Sequence, residues 1–224
     1  MGFSSAVRTG ICIAALCLSI QGQETPGPTT PGKDAQAGEA KGLPPRVAPT
    51  DYQFQAKAGT VTVAAEFTGH SVATPQGTFT TEDYVAVETA LFGPPEARLK
   101  LSIDDFSLRI NEKKTLSSQP YELVFHSLKD PEWEPPASAE SKSKTSIGTG
   151  GGKSDSPPTP VKMPIGLQRA MEQKVQKASL PEGDRALPQA GLLFFEYRGK
   201  PERIRSLELI YAGPAGKATL TLQP

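Results

Sequence analysis

About eight stretches of this chain set apolar side chains at every second residue, and that period of two fixes the class of structure the chain can form. Val61, Val63, Ala65 and Phe67 share one face of the first stretch, and Val85, Val87, Thr89 and Leu91 share one face of the second. Leu99, Leu101 and Ile103 follow, then Phe106, Leu108 and Ile110, then Tyr121, Leu123 and Phe125. Further on come Leu193, Phe195 and Tyr197, then Leu207, Leu209 and Tyr211, and finally Ala218, Leu220 and Leu222. Successive side chains of a strand point to opposite faces, so each stretch predicts a strand with one buried face. Thr74-Pro75-Gln76-Gly77, Gly93-Pro94-Pro95, Asp104-Asp105 and Asn111-Glu112-Lys113-Lys114 supply turn residues between strands.

One stretch breaks the period. Leu167, Ala170, Met171, Val175 and Ala178 recur at three- and four-residue steps between Gln, Arg, Glu and Lys, which predicts a single amphipathic helix over 165–178. With no helices between the strands to carry parallel crossovers, the expected fold is all-β: an antiparallel, immunoglobulin-like β-sandwich with one inserted amphipathic helix.

The 22 Pro and 21 Gly are concentrated outside these stretches. Residues 23–50 hold Leu43 and Val47 as their only large aliphatics, and residues 134–164 run through Pro135-Pro136, Gly150-Gly151-Gly152 and Pro157-Pro158. Neither segment buries enough apolar surface to offset the ordering of its backbone, about 1–2 kcal/mol per residue. They read as a disordered tether and a disordered insertion. Three C-terminal strands could not cover a hydrophobic face alone, so residues 51–224 are expected to be one sandwich domain interrupted by that insertion.

Residues 1–22 carry Arg8 followed by the apolar run Ile11-Cys12-Ile13-Ala14-Ala15-Leu16-Cys17-Leu18. A basic region ahead of about ten apolar residues is the layout of a secretory signal peptide, and the run falls short of the roughly 20 residues a membrane helix needs. Ser19 and Gly22 offer small residues for cleavage, which places the mature protein in a periplasmic or extracellular setting. Cys17 is either lipidated or removed with the leader; Leu16 directly before it disfavours lipidation, which wants a small residue there. Removal takes both cysteines, leaving no disulfide, thiolate metal site or cysteine nucleophile. The 24 Lys+Arg balance 24 Asp+Glu, so the chain lacks the cationic excess that nucleic-acid binding uses.

The run Glu82-Asp83-Tyr84-Val85-Ala86-Val87-Glu88-Thr89-Ala90-Leu91-Phe92, then Leu101-Ser102-Ile103-Asp104-Asp105-Phe106-Ser107-Leu108-Arg109, resembles the telokin-like immunoglobulin-fold family of bacterial secreted proteins and lipoproteins. Gly191-Leu192-Leu193-Phe194-Phe195-Glu196-Tyr197 and Ser206-Leu207-Glu208-Leu209-Ile210-Tyr211 resemble that family's closing strands. The resemblance covers 52–128 and 188–224. It implies a fold and no shared reaction, so it assigns no catalytic residues.

Four groupings invite chemistry. Gly69-His70-Ser71-Val72-Ala73 is similar to a nucleophile elbow, but Pro75-Gln76-Gly77 stands where the following helix would be, and a hairpin turn fits better. Gly148-Thr149-Gly150-Gly151-Gly152-Lys153-Ser154 is one residue short of a phosphate-binding loop and lacks a helix after it. Asp104-Asp105, and Glu132 and Glu134 around Trp133, are acidic pairs; Ca²⁺ takes six to eight oxygens, and adjacent strand residues point apart, so a turn between strands is the simpler reading. His70 and His126 are too few for zinc.

No cofactor, metal or catalytic residue is therefore expected. The chain reads as an exported, non-enzymatic accessory or protein-interaction module of the bacterial cell envelope, with another envelope protein as partner; the helix packs on the sandwich or, as the alternative, docks a partner through Leu167, Met171 and Val175. Two alternatives stay open. One is a barrel-type carrier of a lipid or other apolar ligand, and the other a hydrolase of unrecognised type using Ser71 and His126.

Overall fold

The computed structural model describes residues 40–134 and 163–224. The leader at 1–22, the tether up to residue 39, the insertion from 135 to 162 and the Gly148–Ser154 loop lie outside the described residues.

In chain order the strands are β1 (Phe54–Ala58), β2 (Val61–Gly69), β3 (Ser71–Thr74), β4 (Gly77–Thr81), β5 (Tyr84–Phe92), β6 (Arg98–Leu101), β7 (Phe106–Ile110), β8 (Lys114–Gln119) and β9 (Leu128–Lys129). After the insertion come β10 (Gly183–Ala186), β11 (Gln189–Glu196), β12 (Leu207–Gly213) and β13 (Gly216–Leu222). Two helices complete the fold, α1 (Tyr121–Val124) and α2 (Ile165–Ala178).

The protein is predominantly β, as expected, and the strands pair antiparallel. Eight of them form one continuous sheet in the order β1-β2-β5-β11-β8-β7-β12-β13, in place of two separate sheets. The sheet folds over at β8, whose residues Ser118 and Gln119 pair with Phe195 and Phe194 of β11 while Lys114 to Ser117 pair with β7. The far ends then meet, with β13 beside β1, and the result is a nearly closed, barrel-like wall. Gly59, at φ +61 in the β1–β2 turn, allows this approach, since a Cβ there would stand 2.5 Å from the Ala215 carbonyl oxygen.

The alternating residues fill the interior as the period of two requires. Val63, Val87, Leu108, Leu193, Phe195, Leu209 and Tyr211 are all buried in one cluster, with Phe106 and Tyr211 rings 5.0 Å apart. The outer face is covered locally. Leu192 and Phe194 of β11 point outward and are buried beneath α2 with Met171, Val175 and Ala178, which explains why Gly191 to Phe195 is apolar without alternation. Ser179 ends α2, its hydroxyl donating to the Val175 carbonyl at 2.8 Å, and Pro181 cannot continue the turn.

Two expectations need correction and a third is narrowed. Tyr121 to Phe125 is α1 followed by a 3₁₀ turn instead of a strand, because Pro120 opens a helical turn and three alternating residues are too few to decide between the periods. The packed domain also begins earlier than residue 51. Ala64, Ala90 and Ala190 stand side by side on β2, β5 and β11, and this row of small side chains lets Leu43 and Tyr52 lie flat on the sheet. Arg46 pins the segment by ion pairs to Glu66 at 2.7 Å and Glu88 at 3.1 Å, with its guanidinium 4.4 Å from the Tyr52 ring centre. Third, of the two readings of α2 the packed one describes this face: Met171 and Val175 are fully buried and Leu167 is half-buried against the protein's own sheet.

Candidate functional site

One edge of β11 is covered piecemeal. Leu43 N–H donates to the Ala190 carbonyl at 2.8 Å, Leu180 N–H to the Leu192 carbonyl at 3.0 Å, and β8 takes over only at Phe194. Where these three segments fail to abut, a cleft of about 260 Å³ opens. Its apolar floor includes Leu180, Leu192 and Phe194, and its walls include Ile103, Tyr121, Glu122 and Glu182.

Local sequence explains the walls. Pro120 turns the chain out of β8 into α1, which brings Tyr121 and Glu122 to the rim, and Gln176 of α2 donates to the Tyr121 hydroxyl at 3.1 Å. On the other side Pro181 carries the chain out of α2, and Glu182 Oε1 accepts from Ile103 N–H at 3.1 Å and from the Ser102 hydroxyl at 3.4 Å. Among the described residues, two carboxylates and no Lys, Arg or His line the cleft. Burial, and then the neighbouring Glu122 and Glu182, hold the Tyr121 hydroxyl above its ordinary value, as expected where the local potential is negative. Such a cleft can accept a cation carried on an apolar stem.

The residues singled out in the sequence lie elsewhere. His70 is the single residue between β2 and β3, so Gly69-His70-Ser71 is a tight turn. Its Nδ1 lies 2.7 Å from the Tyr84 carbonyl oxygen and its Nε2 2.9 Å from that of Gly199. His126 is exposed on the turn after α1, and no hydrogen bond joins it to Ser71 among the described residues. Asp104 and Asp105 occupy a 3₁₀ turn capped by Ser102, whose hydroxyl accepts from Asp104 N–H at 3.2 Å. Glu132 and Glu134 are exposed. Among the described residues no three of His, Cys, Asp or Glu gather in a way that could hold a metal ion. The side chains of Leu108, Phe195, Leu209 and Tyr211 are buried together inside the wall.

Sequence reasoning missed the cleft because its walls come from residues 103, 119–122 and 179–182, which no spacing rule connects. The two prolines at 120 and 181 were the only local signal. No family model, curated protein or solved structure matches the chain.

Proposed function

We propose that this is an exported, non-catalytic module of the cell envelope that engages a partner protein by taking one of its basic side chains into the cleft beside β8. The acidic, apolar-floored cleft carries the proposal. Its volume is below the roughly 300–1,000 Å³ of typical small-molecule sites and suits an anchoring side chain. Glu122 and Glu182 would pair with the cation while Leu180 and Phe194 cover its stem. An immunoglobulin-like origin for the sheet belongs to the same proposal, supported by the antiparallel pairing of β5 with β11 and of β7 with β12, the strands whose motifs carry the family resemblance.

The test is a titration of the ¹⁵N-labelled protein with acetyl-Leu-Arg-Leu-amide, set against its Glu-containing counterpart. The Arg peptide is expected to move the amide signals of Tyr121, Leu180 and Leu192, and Glu122→Gln/Glu182→Gln to weaken binding about tenfold while the acceptor for Ile103 N–H is retained. Equal response to both peptides overturns the reading.

A further inference from the structure

We propose a second binding site, for a phosphate-type oxyanion, in the hollow between the β7–β8 hairpin and the loop that joins β11 to β12. It lies at the opposite end of β7 and β8 from the cleft and does not depend on it. The hollow has a volume of about 470 Å³ and is lined by Asn111, Lys113, Arg203, Arg205 and Ser206.

The balanced charge of the whole chain conceals a local excess here. Arg198, Lys200, Arg203 and Arg205 crowd the ten residues from Tyr197 to Ser206 with Glu202 the one acid among them, and Lys113, which follows Glu112 in the hairpin, lines the hollow with Arg203 and Arg205. Two of the surrounding cations are paired, one on β7 and one in the loop itself. Arg109 pairs with Glu208, and Arg198 pairs with Asp83 at 3.3 Å. Lys113, Arg203 and Arg205, by contrast, have no ion-pair partner among the described residues and are all exposed.

Their convergence is held by the backbone. Asn111 sits at φ +52, a left-handed conformation that its short amide tolerates, and that turn aims its side chain at the loop. Its Oδ1 accepts from Arg205 N–H at 2.7 Å and Ser206 N–H at 3.3 Å, and its Nδ2 donates to the Arg203 carbonyl at 3.0 Å. Asn111 N–H adds a bond to the Ser206 carbonyl at 2.9 Å. Ile204 between the two arginines is buried, whereas Arg203 and Arg205 are exposed and both line the hollow. Three like charges fixed around one hollow repel each other until an anion arrives, and two planar guanidinium forks with one ammonium match the oxygens of a phosphate group. The backbone N–H groups of Arg205 and Ser206 are committed to Asn111, which leaves recognition to the side chains.

The phosphate group could belong to a soluble molecule or to a lipid headgroup, and the experiment separates the two. Isothermal titration of the full chain with inorganic pyrophosphate is expected to show binding that weakens as NaCl is raised. Arg203→Ala/Arg205→Ala should reduce the affinity at least tenfold with an unchanged thermal transition, since the clamp uses only their backbone atoms. Arg98→Ala, a cation paired with Asp184 elsewhere, should leave it unchanged. In a parallel arm the protein is sedimented with phosphatidylglycerol or phosphatidylcholine vesicles. Retention on the anionic vesicles alone, displaced by pyrophosphate, identifies a headgroup site; pyrophosphate binding without retention identifies a soluble phosphate. Absence of binding in both arms, or binding that the double variant does not weaken, overturns the proposal.

Discussion

Gly191 lies directly against the backbone of Leu180: a Cβ at position 191 would stand 2.5 Å from the Leu180 nitrogen. That contact is what lets the segment after α2 lie against β11, with Leu180 N–H donating to the Leu192 carbonyl. Gly191→Ala has no flexible side chain to push aside, so a backbone must move. The expected cost is about 3 kcal/mol, or roughly 6–12 °C in Tm for a domain of this size, measured by urea and thermal unfolding. A change under about 0.5 kcal/mol would show that Leu180 is free to withdraw.

Thr89 stands opposite Gly191 on the inner face of β5, fully buried, and its hydroxyl has no hydrogen-bond partner. An unpaired buried hydroxyl costs about 1–3 kcal/mol, and valine has nearly the same shape. Thr89→Val is therefore expected to stabilise the protein by about 1 kcal/mol, read as a rise in the urea midpoint at constant m-value.

The inward alternation was legible because the opposite positions of β7 and β13 are Ser, Arg, Lys and Thr, which leave one face for the core. The order of the strands was not legible, because it depends on β8 dividing its pairing between β11 and β7, and Ser117 and Ser118 carry no mark of that division. The docking of Leu43 and Tyr52 was equally hidden: three alanines from three strands make a platform only once their registers are known. At the two candidate sites, charge balance misled through averaging. Arg203 and Arg205 are cancelled in the total by acids counted over the whole chain.

Met171 separates core from docking surface. With this side chain fully buried among Phe79, Val175 and Phe194, Met171→Asp is expected to cost more than about 3 kcal/mol and to broaden or abolish the thermal transition. An unchanged transition would return α2 to the list of interaction surfaces.

Asp105 gives a pH signature of known sign. Burial, and then the neighbouring Asp104, raise its carboxyl above the ordinary value of 3.8. The folded state thus binds this proton more readily than the unfolded chain, and stability falls as pH rises through the interval just above that value. Asp105→Asn is expected to be slightly more stable than the parent at pH 7, by no more than about 0.5 kcal/mol given its partial exposure, with the gain vanishing near pH 3. Differential scanning calorimetry of both proteins from pH 3 to 7 checks the convergence.

The ladder between β5 and β11 joins strands from opposite sides of residues 135–162. Neither half of the polypeptide owns a finished sheet: the first carries β5 with one edge bare, and the second carries the strand that completes it. Severing the chain in that interval would part β5 and β8 from β11, β6 from β10 and β7 from β12, so each fragment holds the strands that the other lacks.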